Sequence, residues 1–237
     1  MGNGGGLWLL LCVLPAVLVP TLAPEGHKVE LRPYSSGGKV TFTDADGVAH
    51  PAGTWSDKLE FESWHKPQWG IRTQVQQLFD GPRLVIISTF DRATLLPLAS
   101  DFRTSDGRSN RLEFKGLEVD QQGTATVGAT LSHQRWRLAA QAFDFTGGIG
   151  ALLLRQLVLR SGVKTSLPVL ALDPHDVPEV AQIEVHPREA VRGTPAWRIE
   201  VKGTSVGTVT YWISEEPPYL LRMALGLNSG VVVFERE

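Results

Sequence analysis

The chain has 237 residues, a formal net charge of −2 and 20% charged side chains, a balance that excludes the clustered cationic surface selected by nucleic-acid phosphates. Its only cysteine is Cys12, in an apolar N-terminal run; once that run is removed, no disulfide or cysteine-ligated metal centre can form. The 24 glycines and 15 prolines punctuate short apolar runs rather than forming one tract, as in a turn-rich β protein.

From Leu7 to Ala23 the chain is apolar apart from Thr21, with breaks at Pro15 and Pro20. A membrane span needs about 20 uninterrupted apolar residues, so the segment reads as a signal peptide over residues 1–23, with Thr21-Leu22-Ala23 as the cleavage tripeptide. The rival reading is an uncleaved anchor. Either way the chain is exported, to the periplasm or the cell surface. Residues 24–237 read as a single antiparallel β domain; Asp173–Pro178 is the best internal boundary candidate, but it spans only a few residues.

After residue 24 the dominant pattern is period-two alternation, which places every second side chain on one face of a sheet. Val29 and Leu31 alternate with Lys28, Glu30 and Arg32, and the same holds around Val40 and Phe42, Leu59 and Phe61, and Leu112 and Phe114. Trp136 and Leu138, Ile183 and Val185, then Trp197, Ile199 and Val201, then Val209, Tyr211 and Ile213 repeat it, and Val231–Phe234 reads as a final buried strand. Asp46-Gly47 and Asp106-Gly107 predict type I′ hairpin turns. Ser36-Gly37-Gly38, Asp80-Gly81-Pro82, Gln122-Gly123 and Ser161-Gly162 predict further turns. Many strands joined by short turns argue an antiparallel, all-β fold.

Residues 149–160 break the pattern. Ile149, Leu152, Leu153 and Leu157 recur at helical spacing, while Leu154, Val158 and Leu159 fill much of the opposite side. A helix apolar nearly all round is buried on most sides, and at about 12 residues it is roughly 18 Å long, too short to cross a bilayer. The expectation is a large curved antiparallel sheet, or half-barrel, plugged by this helix. Leu157–Arg160 reads equally well as β structure.

The stretch Phe143–Leu170, FDFTGGIGALLLRQLVLRSGVKTSLPVL, resembles a motif of the exported bacterial domain-of-unknown-function 3108 family: an Asp, a leucine-rich helix ending in Arg, then a strand. Phe90–Leu98 resembles that family's "D..TL.P" segment, and Gly207–Ile213 with Pro218 and Arg222 resembles its "g..tyWis…p.l.r" ending. The three pieces, in the right order, lie between Phe90 and Arg222, a little over half of the chain. The resemblance implies a periplasmic or cell-surface curved sheet like the half-barrels of lipoprotein carriers, and it carries no catalytic residue. Where the family motif often reads Leu-Pro-Leu this chain has Leu157-Val158-Leu159, which places the end of the helix in question.

No catalytic, cofactor or metal motif stands up. Gly203-Thr204-Ser205-Val206-Gly207 matches G-x-S-x-G, but a strand follows it and no histidine lies after His186, so it reads as a hairpin turn and not a nucleophile elbow. The six histidines are scattered without metal-ligand spacing. Gly147-Gly148-x-Gly150 lacks the remainder of a phosphate loop. The expected ligand-contacting residues are Leu152, Leu153 and Leu157 beneath the sheet, with Trp64, Trp69 and Trp212 as aromatic walls. These lead to a non-enzymatic binder of a lipid or other apolar or amphipathic ligand. The alternative is an envelope interaction or assembly module, contacting a protein or glycan through strand edges or the Trp-rich loop. A third reading is an enzyme whose titratable groups converge only in space.

Export has a direct check. Intact-mass measurement of the protein from its native host should find a species lacking the N-terminal segment; a mature species that retains Met1 or Cys12 would overturn the expectation.

Overall fold

The computed structural model describes residues 29–62, 68–124, 130–157, 159–170 and 177–237. The expected signal peptide or anchor over 1–23 lies outside the described residues, as does most of Asp173–Pro178. The strands are β1 (Tyr34–Asp44), β2 (Ala49–Glu62), β3 (Trp69–Leu78), β4 (Leu84–Asp91), β5 (Pro97–Thr104), β6 (Ser109–Lys115), β7 (Glu118–Thr124) and β8 (Ser132–Arg137). A helical segment follows, and then β9 (Lys164–Val169), β10 (Glu179–Val191), β11 (Thr194–Thr204), β12 (Gly207–Ile213), β13 (Leu220–Leu227) and β14 (Gly230–Arg236).

Among the described residues all fourteen strands form one sheet in the order β8-β7-β6-β5-β4-β3-β2-β1-β14-β13-β12-β11-β10-β9. Two meanders, β1 to β8 and β9 to β14, are joined where β1 pairs antiparallel with β14 from Gly38↔Arg236 to Asp44↔Gly230. The sheet curves without closing into a barrel: β8 and β9 are its two edges. The all-β reading with one short internal helix holds.

Alternation decides which side of the sheet is the core. In β2, Gly53, Trp55, Asp57 and Leu59 are buried between exposed Thr54, Ser56, Lys58 and Glu60. In β12, Val209, Tyr211 and Ile213 are buried while Trp212 points the other way. The inner rows of β1, β2, β4 and β9 to β14 share one apolar cluster with the helical segment, and a smaller cluster joins Leu112, Phe114 and Val119 to Leu138, Ala142 and Leu170.

Several local expectations need correction. Val29 and Leu31 precede β1 and are not in a strand. Ser36–Gly38 lies inside β1 and Gln122-Gly123 inside β7. A side chain at Gly38 would sit 2.0 Å from the Glu235 carbonyl, so this glycine serves close strand approach and not a turn. Asp46 and Asp106 do not have positive φ; only Gly47 (83°) and Gly107 (94°) do. The bonds Asp44 N–H to Val48 O and Gly47 N–H to Asp44 O, repeated by Thr104, Arg108 and Gly107, make both loops three-residue turns with a left-handed glycine. Both positive φ angles that a type I′ turn requires occur instead at Arg192 (50°) and Gly193 (82°), between β10 and β11. In β14, Phe234 is buried and Val231 is exposed, so the last strand is half-buried.

The helix is also shifted. It opens as a π-helical turn at Phe145–Ile149, continues as α1 over Gly150–Gln156 and stops at Leu157, whose backbone is extended (φ −70°, ψ 156°). It therefore begins before the expected 149 and ends before 160. The reason is anchorage at both ends. Phe143 bridges β9 at Val169, forcing the chain to turn inward at once, and the Gln156 side chain exchanges hydrogen bonds with the Val29 backbone (2.7 and 3.1 Å). The chain must then leave the interior to reach the Arg160–Val163 turn and β9.

Leu152, Leu153 and Leu154 are fully buried (0% exposed), each burial contributing about 1.5–3 kcal/mol relative to exposure. Leu153→Ala should therefore cost about 2–5 kcal/mol in denaturant unfolding, and Leu153→Asp more, because the packed interior offers that charge no partner. A near-neutral Leu153→Ala would contradict the packing.

Candidate functional site

Among the described residues, the expected site residues do not converge. Leu152, Leu153 and Leu157 meet inside the sheet, in the main core cluster. Trp212 is on the outer face, packed on Val191, Ala196 and Leu221, with its indole N–H donating to Glu189 Oε2 at 2.8 Å and Arg222 stacked 4.8 Å from its ring. The sheet itself separates it from the leucines. Trp69 starts β3 in the outward row, opposite in parity to buried Gly70 and Arg72, and Trp64 lies outside the described residues. Trp55, the third tryptophan of that stretch, is core, edge-on to Phe234 at 6.4 Å.

What the structure does bring together is a buried polar clamp. Asp57 and Arg72 occupy the inner rows of β2 and β3, one rung apart, since Leu59 pairs with Arg72 and Asp57 with Gln74. Arg72 Nε donates to Asp57 Oδ1 at 2.8 Å and Nη2 to Oδ2 at 2.7 Å, a bidentate pairing with both side chains almost wholly buried. The Tyr34 hydroxyl donates to the same Asp57 Oδ2 at 2.8 Å. The remaining guanidinium nitrogen, Nη1, donates to the carbonyl of Gly148 in the π-helical turn. Gly148 has φ +134°, and a Cβ there would lie 2.8 Å from the Ser88 hydroxyl, so only glycine lets this carbonyl approach so closely.

The charges fit the geometry. Burial alone would discourage a charged Arg72, yet the Asp57 carboxylate beside it more than compensates and raises its pKa. Burial pushes the Tyr34 phenol up, Arg72 draws it partly back, and Asp57 adds to the rise. Tyr211, edge-on to Phe145 at 5.7 Å, is likewise raised by burial. Thus both phenols are held neutral beside one internal ion pair, and Tyr34 donates to it.

The clamp belongs to a polar seam. One rung carries Leu59, Arg72, Ser88, Ser100 and Leu112 across β2 to β6, with Ser88 donating to the buried Asp144 carboxylate at 3.4 Å. This seam divides the two inner apolar clusters. At the other end of the plug, Arg155 donates twice to the Glu215 carbonyl (3.1 and 3.0 Å).

Sequence reasoning missed the clamp, although one signal was present: Asp57 interrupts the inner row Trp55–Asp57–Leu59–Phe61. The "D..TL.P" stretch has a local role. Asp91 Oδ1 accepts from the backbone N–H of Ala93 and Thr94 and from the Thr94 hydroxyl, while Leu95 (φ 58°) is inserted into the core.

Chemically the interior offers packing and charge pairing. Ser205 is in the β11–β12 hairpin, where its N–H and hydroxyl both donate to Glu179, and Thr208–Ile213 continues as strand, unlike a nucleophile elbow. Among the described residues no three His, Cys, Asp or Glu side chains converge as a metal site. An outer-face groove of about 500 Å³ over β9 to β11 is lined by charges that pair with one another, including Lys164 with Glu184 at 3.2 Å and Lys202 with Glu200.

No family model and no curated protein sequence matches the chain. In fold it is similar to the crystal structure of a beta-barrel-like protein of domain of unknown function DUF1849 from Brucella abortus, at 9% identity and a TM-score of 0.53, covering 88% of this chain and 97% of that one. The chain thus has a beta-barrel-like fold shared with a domain of unknown function. At that identity the likeness concerns the fold alone.

The clamp makes a testable claim. Asp57→Leu and Arg72→Met should each cost about 3–5 kcal/mol, because each leaves a buried charge unpaired. The double variant should cost clearly less than their sum in a double-mutant cycle; additive losses would show that the two side chains do not interact.

Proposed function

We propose that this chain is a non-enzymatic protein of the bacterial cell envelope that works as an interaction or assembly module, a curved sheet stiffened from within and presenting its rims and edges to other envelope components. The carrying observation is the sealed plug: Leu152, Leu153 and Leu154 have no exposed surface, so the space that an apolar ligand would need is occupied by the chain's own side chains. The resemblance of Phe90–Leu98, Phe143–Leu170 and Gly207–Arg222 to the exported 3108 family supports the envelope placement, as does the apolar Leu7–Ala23 run. The net charge of −2 gives nucleic acid no purchase.

The reading as a binder of a lipid or other amphipathic molecule keeps one observation in its favour. The sheet is open between β8 and β9, and the plug is the segment that links them; its withdrawal would expose the inner face. Mass spectrometry of the natively purified protein, together with fluorescent fatty-acid uptake, separates the two readings. The module reading expects neither bound lipid nor uptake, whereas stoichiometric lipid with matching uptake would replace it with the binder.

A further inference from the structure

The antiparallel meander gives the sheet two rims. One carries the β1–β2, β3–β4, β5–β6, β11–β12 and β13–β14 hairpins; the other carries the β2–β3, β4–β5, β6–β7, β10–β11 and β12–β13 connections and the far end of the plug. The large apolar side chains exposed among the described residues are Val48, Leu78, Phe79, Leu131, Val177, Val180, Leu227 and Val231, and every one of them is at the first rim. Apolar exposure confined to one end of a molecule marks an interaction surface, unlike scattered single side chains.

The densest part spans six neighbouring strands, β4 to β13. Thr43 pairs with both Val231 and Ala49, Asp44 pairs with Gly230, which in turn pairs with Leu227, and Leu78 pairs with Gly53. With strands about 4.8 Å apart, the β1–β2 and β13–β14 tips, holding Val48 and Leu227, stand at one level, and the β3–β4 tip holding Phe79 flanks β2 a step below them, at the level of Ala52 and Gly53. Phe79 is 66% exposed and Val48 52%. The same three tips carry Asp44, Asp46 and Asp80 against a single guanidinium, Arg83. Asp44 is engaged by His50 at 2.9 Å, while no ion pair holds the carboxylates of Asp46 and Asp80 among the described residues.

We propose that these three hairpin tips form the docking surface of the module, and that their occupant is a partner-protein segment in which apolar side chains alternate with lysine or arginine. This inference rests on the module reading and gives it a location. Charge complementarity selects the occupant. An anionic lipid surface would be repelled by the acidic tips, and a two-fold pairing with a second copy would set Asp46 and Asp80 against their own equivalents.

The test titrates the full folded protein with two synthetic peptides, one of alternating leucine and lysine and one of alternating leucine and glutamate, read by chemical-shift mapping. The leucine–lysine peptide should perturb Val48, Phe79, Leu227 and Val231, weaken with added salt, and lose roughly tenfold or more in affinity, a factor within reach of a few interface residues, for both Val48→Ser/Phe79→Ser and Asp46→Lys/Asp80→Lys. All these positions are at exposed tips, so the variants should keep the wild-type melting temperature. Equal binding of both peptides, binding unaffected by the substitutions, or perturbation mapped to the opposite rim would overturn the proposal. So would rim-dependent binding to phosphatidylglycerol vesicles, or a concentration-dependent dimer abolished by Phe79→Ser. Photo-crosslinks to partner proteins in cells that arise from the β8 or β9 edge and not from Val48 or Phe79 would overturn the rim while leaving the module reading intact; bound lipid would strike the module reading alone.

Discussion

The inner face of a curved sheet that does not close must be covered by something other than water, and in this chain the cover is a single connection. The segment between β8 and β9 passes along the β9 edge at Phe143, turns inward, and fills the concavity with Leu152, Leu153 and Leu154. Everything else in the interior adjusts to that insertion. The apolar rows of β9 to β14 pack on the helix, and the buried guanidinium of Arg72 meets the helix at the Gly148 carbonyl. A buried ion pair is weak evidence of stability in itself, because desolvation offsets much of its attraction. Its value here is directional: Asp57 and Tyr34 fix the guanidinium, and the guanidinium holds the first turn of the helix at the Gly148 carbonyl.

How much of this is legible in the sequence depends on the kind of physics involved. Strands whose inner row is apolar and outer row polar, such as those around Leu112 and Phe114 or Val209, Tyr211 and Ile213, declare themselves by alternation. β3 does not, because its inner row reads Gly70, Arg72, Gln74 and its outer row Ile71, Thr73, Val75, which inverts the usual signal. β13 does not either, since Leu220-Leu221-Arg222-Met223-Ala224-Leu225 carries no clear period. The glycines at 38 and 123 look like turns in isolation, and only the neighbouring strand reveals them as close contacts. The plug's existence is written in its composition, but its bounds are set by distant partners, Val169 and Val29, that local spacing cannot anticipate. The expected site residues are spread for a related reason: helical spacing groups the leucines and alternation puts Trp212 on the face opposite Val209, Tyr211 and Ile213, but only the fold shows that the helix packs on the face those three share.

Around the helix the described interior is packed side chain on side chain. The outer face is laced with exposed ion pairs such as Arg111 with Glu113 and Lys58 with Glu60, each of small energetic consequence. On edge strand β8 the paired side chains of His133 and Arg135 with Asp120 act as charged guards against unintended strand pairing. The apolar exposure left over is concentrated at the hairpin rim. A rigid core with one chemically distinct end is the arrangement expected of a module that presents a surface, just as a loosely held plug would be expected of a carrier.

Amide hydrogen exchange discriminates between these two states of the plug most directly. If the helix is an integral part of the core, the amides of Leu153 and Leu154 should exchange only through global unfolding, with the same free energy and denaturant dependence as the amides of Leu59 in β2 and Ile199 in β11. Exchange of the helix amides through an opening several kcal/mol below global unfolding, while the strands stay protected, would contradict the account and show a plug that leaves the sheet on its own.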